Sequence, residues 1–184
     1  YYQQPERRFQ GRGPVSDPGF HPNGTLILRG GDGAAYLALN AETANAVRSY
    51  RGEPDAVATL VGDTPVKAPF ESTLITWPEW GQTLALTSKG GAEMTLVPGY
   101  DPALPGKASA RTFPVTDRPH MRLAGLVVAP LGHQGQSVLL VAVPRTGLIV
   151  SVAPTAAGEL KSSQLWDFGF QAAPEDILPL DFEG

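Results

Sequence analysis

The sequence predicts a mainly β protein with an extended N-terminal arm and little helix. The 21 Gly and 18 Pro in 184 residues break the chain into short runs and work against long helices. Those runs are apolar or alternating, and the clearest are rich in Val, Leu and Ile, which suit a pleated surface. Turn residues separate them at strand-length intervals.

Along the chain, residues 1–24 carry Pro5, Gly11, Gly13, Pro14, Pro18, Gly19, Pro22 and Gly24, a density that denies helix and ladder and reads as an extended arm. Thr25-Leu26-Ile27-Leu28, a Gly30-Gly31-Asp32-Gly33 turn and the run 34–39 read as a hairpin. Residues 41–50 are the one fair helix candidate, weakened by Thr43, Asn45, Val47 and Ser49 and stopped by Gly52 and Pro54. Short strands follow at 57–61, 72–76, 83–87 and 93–97. The Pro/Gly-rich stretch 98–110 reads as a linker, which divides the chain into the arm 1–24, an N-terminal β unit 25–105 and a C-terminal unit 106–184.

In the C-terminal unit, 123–129, 137–143 and 147–152 have the composition of consecutive antiparallel strands of a barrel or sandwich. Val138-Leu139-Leu140-Val141 is apolar throughout and implies burial on both faces. The tail offers at most one helical turn at 163–166 and a last strand near 177–180. Segments opening at Pro22, Pro78 and Pro130 share a turn-plus-strand look at roughly fifty-residue spacing, as propeller blades do. Three blades would not close a ring, so the recurrence reads as generic β punctuation.

Composition narrows the chemistry. Without Cys there is no disulfide, Cys-ligated zinc, iron–sulfur cluster or thiol nucleophile, and a reducing compartment fits slightly better. A net charge of −4 argues against general affinity for nucleic-acid phosphate. No run of roughly 18 apolar residues is present to span a membrane, and no signal peptide is visible. His21, His120 and His133 are far apart and lack metal-motif spacing, so no metal is expected. Gly30, Gly31 and Gly33 imitate part of a phosphate loop, but no helix follows to receive the anion. Ser137 lacks the flanking glycines of a nucleophile elbow, and no acid and base pair is placed for catalysis. The chain reads as non-enzymatic.

What remains points to contacts. Arg7, Arg8 and Arg12 follow the aromatic pair Tyr1 and Tyr2, the pattern of a chain leaving a bilayer on its cytoplasmic side; an exposed, frayed terminus is the plain alternative. Trp77, Trp80 and Trp166 are candidate interface anchors, with core or rim packing as the alternative for each. Trp77-Pro78-Glu79-Trp80 implies a rigid, partly exposed turn. Glu175, Asp176, Asp181 and Glu183 form an acidic tail, a solvated surface or a collector of protons.

Several segments resemble the H subunit of purple-bacterial photosynthetic reaction centres. Tyr1-Tyr2-Gln3 with Glu6, Arg8, Gly11 and Pro14 is similar to the segment following that family's membrane helix. The hairpin from Thr25 resembles its first cytoplasmic hairpin. Leu123-Ala124-Gly125 with Val127-Val128 and the strand 139–143 resemble its PRC-barrel core, and Ser162-Ser163-Gln164-Leu165 through Pro174, Ile177, Leu180 and Glu183 the segment closing that barrel. The matches cover roughly 1–40 and 113–184 in the family's order, leaving the middle unmatched.

The resemblance implies a C-terminal PRC-barrel-like domain over 106–184. It also implies a structural subunit on the cytoplasmic face of the photosynthetic inner membrane, capping the pigment-binding subunits and governing water and proton access to the secondary quinone. Bacteriochlorophyll and quinone would belong to those partners, with no cofactor bound directly. A separate membrane helix or a light-harvesting ring could anchor the chain, since the family's helix is missing from this sequence. His133 and Gln136 fall where the family has acidic barrel residues; a glutamine does not exchange protons, whereas a histidine titrates near neutrality. His120, Glu175 and Asp176 complete the proton-path candidates, and Tyr1, Tyr2, Arg7, Arg8, Arg12, Trp77 and Trp80 the contact candidates. Two alternatives are a RimM-like ribosome-maturation protein, disfavoured by the negative charge, and a β-rich protein-binding module of another complex or of the periplasm.

Overall fold

A computed structural model describes residues 20–52, 57–88, 92–117, 124–131, 136–143, 146–155, 159–169 and 177. These form three four-stranded antiparallel sheets. The first contains β1 (Phe20–Arg29), β2 (Ala35–Ala41), β3 (Ala46–Arg51) and β4 (Thr59–Pro65). The second contains β5 (Pro69–Trp77), β6 (Gly81–Ser88), β7 (Glu93–Pro98) and β8 (Arg111–Pro114). The third contains β9 (Ala124–Ala129), β10 (Val138–Val143), β11 (Leu148–Pro154) and β12 (Leu160–Asp167). In each sheet, spatial order follows chain order, so each is an up-and-down meander.

Local chemistry explains where the strands stop. Between β1 and β2 the chain reverses at Gly33, whose φ of 79° suits glycine, while Asp32 Oδ1 accepts the Ala34 N–H at 3.0 Å. Gly30 is required for a different reason: a Cβ there would lie 2.5 Å from the Tyr36 ring. The expected extended arm ends earlier than 24, because 20–24 already belong to β1. Pro22 is tolerated in β1, an edge strand whose register shifts between Phe20 and Thr25.

The helix expected at 41–50 is not formed. Glu42–Ala44 makes one 3₁₀ turn, Asn45 enters the left-handed region at φ 49°, and 46–51 continue as β3. Asn45 fixes this reversal: its backbone oxygen accepts the Val66 N–H at 2.9 Å and its side-chain oxygen the Ala68 N–H at 2.8 Å. Val47 then fills the core, where a β-branched residue is favoured in a strand. Similarly, 163–166 lie within β12 instead of a helical turn, held by pairing with β11.

The second sheet is the middle layer. Leu84, Leu86 and Val97 pack with Leu28, Ala38 and Val47 of the first sheet. Trp77, Ala85, Met94 and Leu96 pack with Leu139, Val141, Val150 and Val152 of the third. The strand period of two sends successive residues of β6 and β7 to opposite layers, so Thr83–Leu86 and Met94–Val97 are buried without interruption. β1 touches β5 and β5 touches β9, placing the first strands of the sheets side by side.

Face-stacked four-stranded meanders of one topology are the architecture of propeller blades. The three units open at Phe20, Pro69 and Ala124, whereas Pro78 lies in the β5–β6 turn and Pro130 just after β9, so the recurrence at Pro22, Pro78 and Pro130 does not mark the sheet starts. The division at 105/106 does not follow a sheet boundary, since β8 pairs with β7 and belongs to the middle sheet. Residues 99–110, read as a linker, are held against the body: Tyr100 is buried with its hydroxyl 3.1 Å from Ser49 Oγ, and the Gly106 N–H reaches Thr64 Oγ1 at 3.3 Å. Within 106–184, β9 to β12 form an open order, and among the described residues no ladder joins β9 to β12.

Because the middle sheet is buried on both faces, the three sheets should unfold together. Leu96→Ala is expected to lower the unfolding free energy by about 2–5 kcal/mol while denaturation stays a single transition. Coincident tryptophan fluorescence and far-UV circular dichroism curves check this; separated curves would show independent sheets.

Candidate functional site

A cleft of about 310 Å³ opens between the middle and third sheets beside their first strands. Its lining runs unbroken along β5 from Glu71 to Ile75; of these, Glu71, Thr73 and Ile75 lie on the face toward the third sheet, in register with Thr87, Ala85 and Thr83 of β6. Ala85 and Met94 form a buried apolar floor, and Leu126 of β9 the opposite wall. The cleft exists because Thr73 and Ala85 are small where their neighbours Ile75, Leu96 and Trp77 fill the same layer. Among the described residues of its lining, Glu71 is the one ionisable side chain.

Beyond the cleft the same interface is closed by an aromatic clasp at the β5–β6 turn. Trp77 and Trp80 stack with ring centroids 4.4 Å apart and planes 20° apart, and the Arg111 guanidinium lies 5.0 Å from the centre of the Trp80 ring. Glu79, at the tip, accepts the Ser137 N–H at 3.2 Å and ties this turn to the start of β10. Burial raises the Glu79 carboxyl, but the Ser137 N–H and further hydrogen bonds outweigh it and hold the group below the usual range.

A second polar cluster surrounds the β1–β2 turn. The Ala34 N–H, the Tyr36 hydroxyl at 2.8 Å and the nearby Arg51 guanidinium, 3.9 Å away, favour ionised Asp32 and lower its pKa against a small cost of burial. Burial, reinforced by the Asp32 carboxylate, raises that of Tyr36. Asp101 accepts the N–H groups of Gly31 at 3.1 Å and Ala103 at 2.9 Å, pinning the turn to the 99–110 loop. Both carboxylates are engaged as structural acceptors.

The expected site residues are scattered. Trp77 is 0% exposed and belongs to the core, so it is corrected from a contact candidate to a packing residue: its ring fills the layer between the second and third sheets. Trp80 is half-buried beneath Arg111, leaving Pro78 and Glu79 as the exposed part of that turn. Gln136 is half-buried next to Ser137, by the clasp. Tyr1, Tyr2, Arg7, Arg8, Arg12, His120, His133, Glu175 and Asp176 lie outside the described residues.

One feature was missed in the sequence, and another was read only at Trp166. The cleft left only a faint trace, the alternation of Glu71, Thr73 and Ile75. The other is an exposed strip at the third sheet's outer edge: Leu165 is 42% exposed, Trp166 54% and Phe168 53%. Its signal was legible as three large apolar residues within four positions of a polar tail.

The chain matches no protein-family model and no curated protein. Among the described residues, no helix is long and apolar enough to cross a membrane, and no three of His, Asp and Glu gather as a metal-binding group.

Asp32 gives a pH dependence with a definite sign. Its folded pKa is depressed, so its contribution to stability is complete above the ordinary aspartate range of about 4 and is lost as pH falls through the folded value. The stability difference between the native chain and Asp32→Asn should be largest near neutrality and shrink below about pH 4. Urea denaturation of both proteins across that range checks it.

Proposed function

We propose that the chain is a non-catalytic docking module, a three-sheet β scaffold that binds a partner protein through the outer edge of its third sheet. The carrying observation is the strip Leu165, Trp166 and Phe168 on and just after β12, an eight-residue edge strand. An edge strand offers backbone donors and acceptors to an incoming extended segment, and an exposed tryptophan supplies the anchor that dominates many interfaces. Ser162 Oγ donates to the Pro114 carbonyl at 2.8 Å, fixing β12 to the middle sheet. A contact strand held in this way loses little freedom on binding.

The narrower form is the extrinsic cap of a photosynthetic reaction centre, docked on the cytoplasmic side of the pigment-binding subunits. Its support is the ordered resemblance of the hairpin from Thr25, the strand 139–143 and Ser162-Ser163-Gln164-Leu165, together with the cluster of Arg7, Arg8 and Arg12 after two tyrosines. The last of these segments is the docking strand itself. The basic cluster would bind anionic headgroups, adding about 1 kcal/mol per charge at low salt. The chain would exclude bulk water from the quinone side and would carry no reaction itself.

A pull-down from native membranes tests both levels. Pigment absorbance in the eluate is expected for the narrower form; Trp166→Glu should lower recovery about tenfold or more. Replacing Arg7, Arg8 and Arg12 by Ser should add a loss that grows with salt. Capture of a defined partner without pigment would retain docking and remove the reaction centre; recovery unchanged by Trp166→Glu would remove β12 as the contact.

A further inference from the structure

Resting on the reading of β12 as a docking edge, we infer that its partner is an extended peptide strand that carries an apolar residue and, four positions later, an acidic one. Trp166 and Lys161 select these two residues, and a β-bulge in β12 sets their spacing.

The bulge is seen in the pairing of β12 with β11. Residues 160–164 pair one for one with 154–150, but Ile149 stands opposite Trp166, so Leu165 is one residue more than β11 matches. Simple alternation from Lys161 would place Ser163, Leu165 and Asp167 on its face and Trp166 on the other. The extra residue reverses this. Leu148, Val150 and Val152 face the middle sheet, so Ile149, Ser151 and Ala153 stand on the outer face of the third sheet, where Ala153 packs. Their cross-strand partners Trp166, Ser163 and Lys161 share that face. Leu160 and Ser162 point the other way, toward the middle sheet. From Ala153 to Ile149 the ladder advances four positions, so Lys161 and Trp166 are spaced along the edge as residues i and i+4 of a plain strand.

Both side chains are open to a partner. Trp166 is 54% exposed. Lys161 is exposed, and none of the described residues forms an ion pair with it. It is the one charged side chain on the outer face of β12: Asp167, the strand's other charge, pairs with Leu148 on the opposite face and accepts the Gly169 N–H at 2.8 Å. A strand that joins β12 antiparallel, as every pair in this sheet is, therefore sets an apolar residue against Trp166 and then an acidic one against Lys161. Opposite charges across a strand pair attract and like charges repel, so Lys161 admits an acidic strand and rejects a basic one. Ser163 lies between the two and suits a threonine or serine opposite it.

The probe is the capped peptide Gln-Thr-Leu-Gln-Thr-Gln-Asp-Thr, titrated into the full chain and followed by amide chemical shifts. Shifts should centre on β11 and β12, and exchanging the peptide's Asp for Lys should weaken binding about fivefold. Inserting one Gln before the Asp carries the acid to the opposite face of the added strand, and should weaken binding as much as replacing that Asp by Ala. Lys161→Glu, an exposed substitution whose fold far-UV circular dichroism checks, should reverse the preference in favour of the Lys peptide. Trp166→Glu should weaken every peptide about tenfold or more. The inference is overturned if no peptide binds, if the lengthened peptide binds as well as the original, or if Lys161→Glu keeps the preference for Asp. When any of these occurs while Trp166→Glu still lowers recovery in the membrane pull-down, the docking edge stands and the peptide pattern alone falls; when recovery is also unchanged, both fall.

Discussion

The structure depends on burial of the middle sheet from both sides. Leu84 and Leu86 face the first sheet while Ala85 faces the third, so one strand supplies two cores and neither outer sheet packs without it. Such a layer has no polar face, which is why β6 and β7 contain apolar runs amid flanking threonines. Thr95, paired with Thr112 at 2.8 Å between hydroxyls, shows how a polar group is accommodated where the sheet reaches its outer strand. The same two-sided packing fixes register, since a slip of one residue would exchange the two cores.

The outer layers meet a different constraint, because each has one face that no described sheet covers. Leu37, Leu39 and Tyr50 are nonetheless buried on the first sheet, and Ala129, Val138 and Leu140 on the third. On the third sheet Ile177 contributes to that cover, so part of the tail serves as packing rather than as an appendage. Exposure concentrates at the edges: Ile27 and Leu60 on the first sheet, Leu165 and Trp166 on the third. Arg48 and Asp63, 3.4 Å apart, and Lys161 and Asp167, at the two ends of β12, place charge there, a common means of limiting edge-to-edge pairing.

Most strands were legible because their signal is local. The runs at 83–87, 93–97, 137–143 and 147–152 fall inside β6, β7, β10 and β11 to within a residue or two. Failures came where the deciding interaction is distant. Residues 41–50 have acceptable helix propensity, and only the bonds from Val66 and Ala68 to Asn45, with pairing of β3 to β2 and β4, turn them into strand. β8 is four residues beside a proline-rich loop, too short to show a period. The threefold succession of sheets was not read from the sequence: Pro22 falls near the start of β1, but Pro78 sits in the β5–β6 turn and Pro130 after β9. Trp77 and Trp80 looked equivalent, yet alternation along β5 carries Trp77 inward and the turn leaves Trp80 at the rim.

The cleft and the β12 edge are separated by the third sheet itself. Leu126 lines the cleft from β9, the sheet's first strand, whereas Trp166 stands on β12, its last. Three strand spacings, about 14 Å, lie between those edges, and the strands between are buried by Leu139, Val141, Val150 and Val152 at 2% exposure or less. The cleft and the β12 edge are therefore separate surfaces of one sheet. Coupling would require a bistable element, and the hydrogen bonds from Ser137 to Glu79 and from Ser162 to Pro114 brace the sheet near β10 and β12 against such a shift.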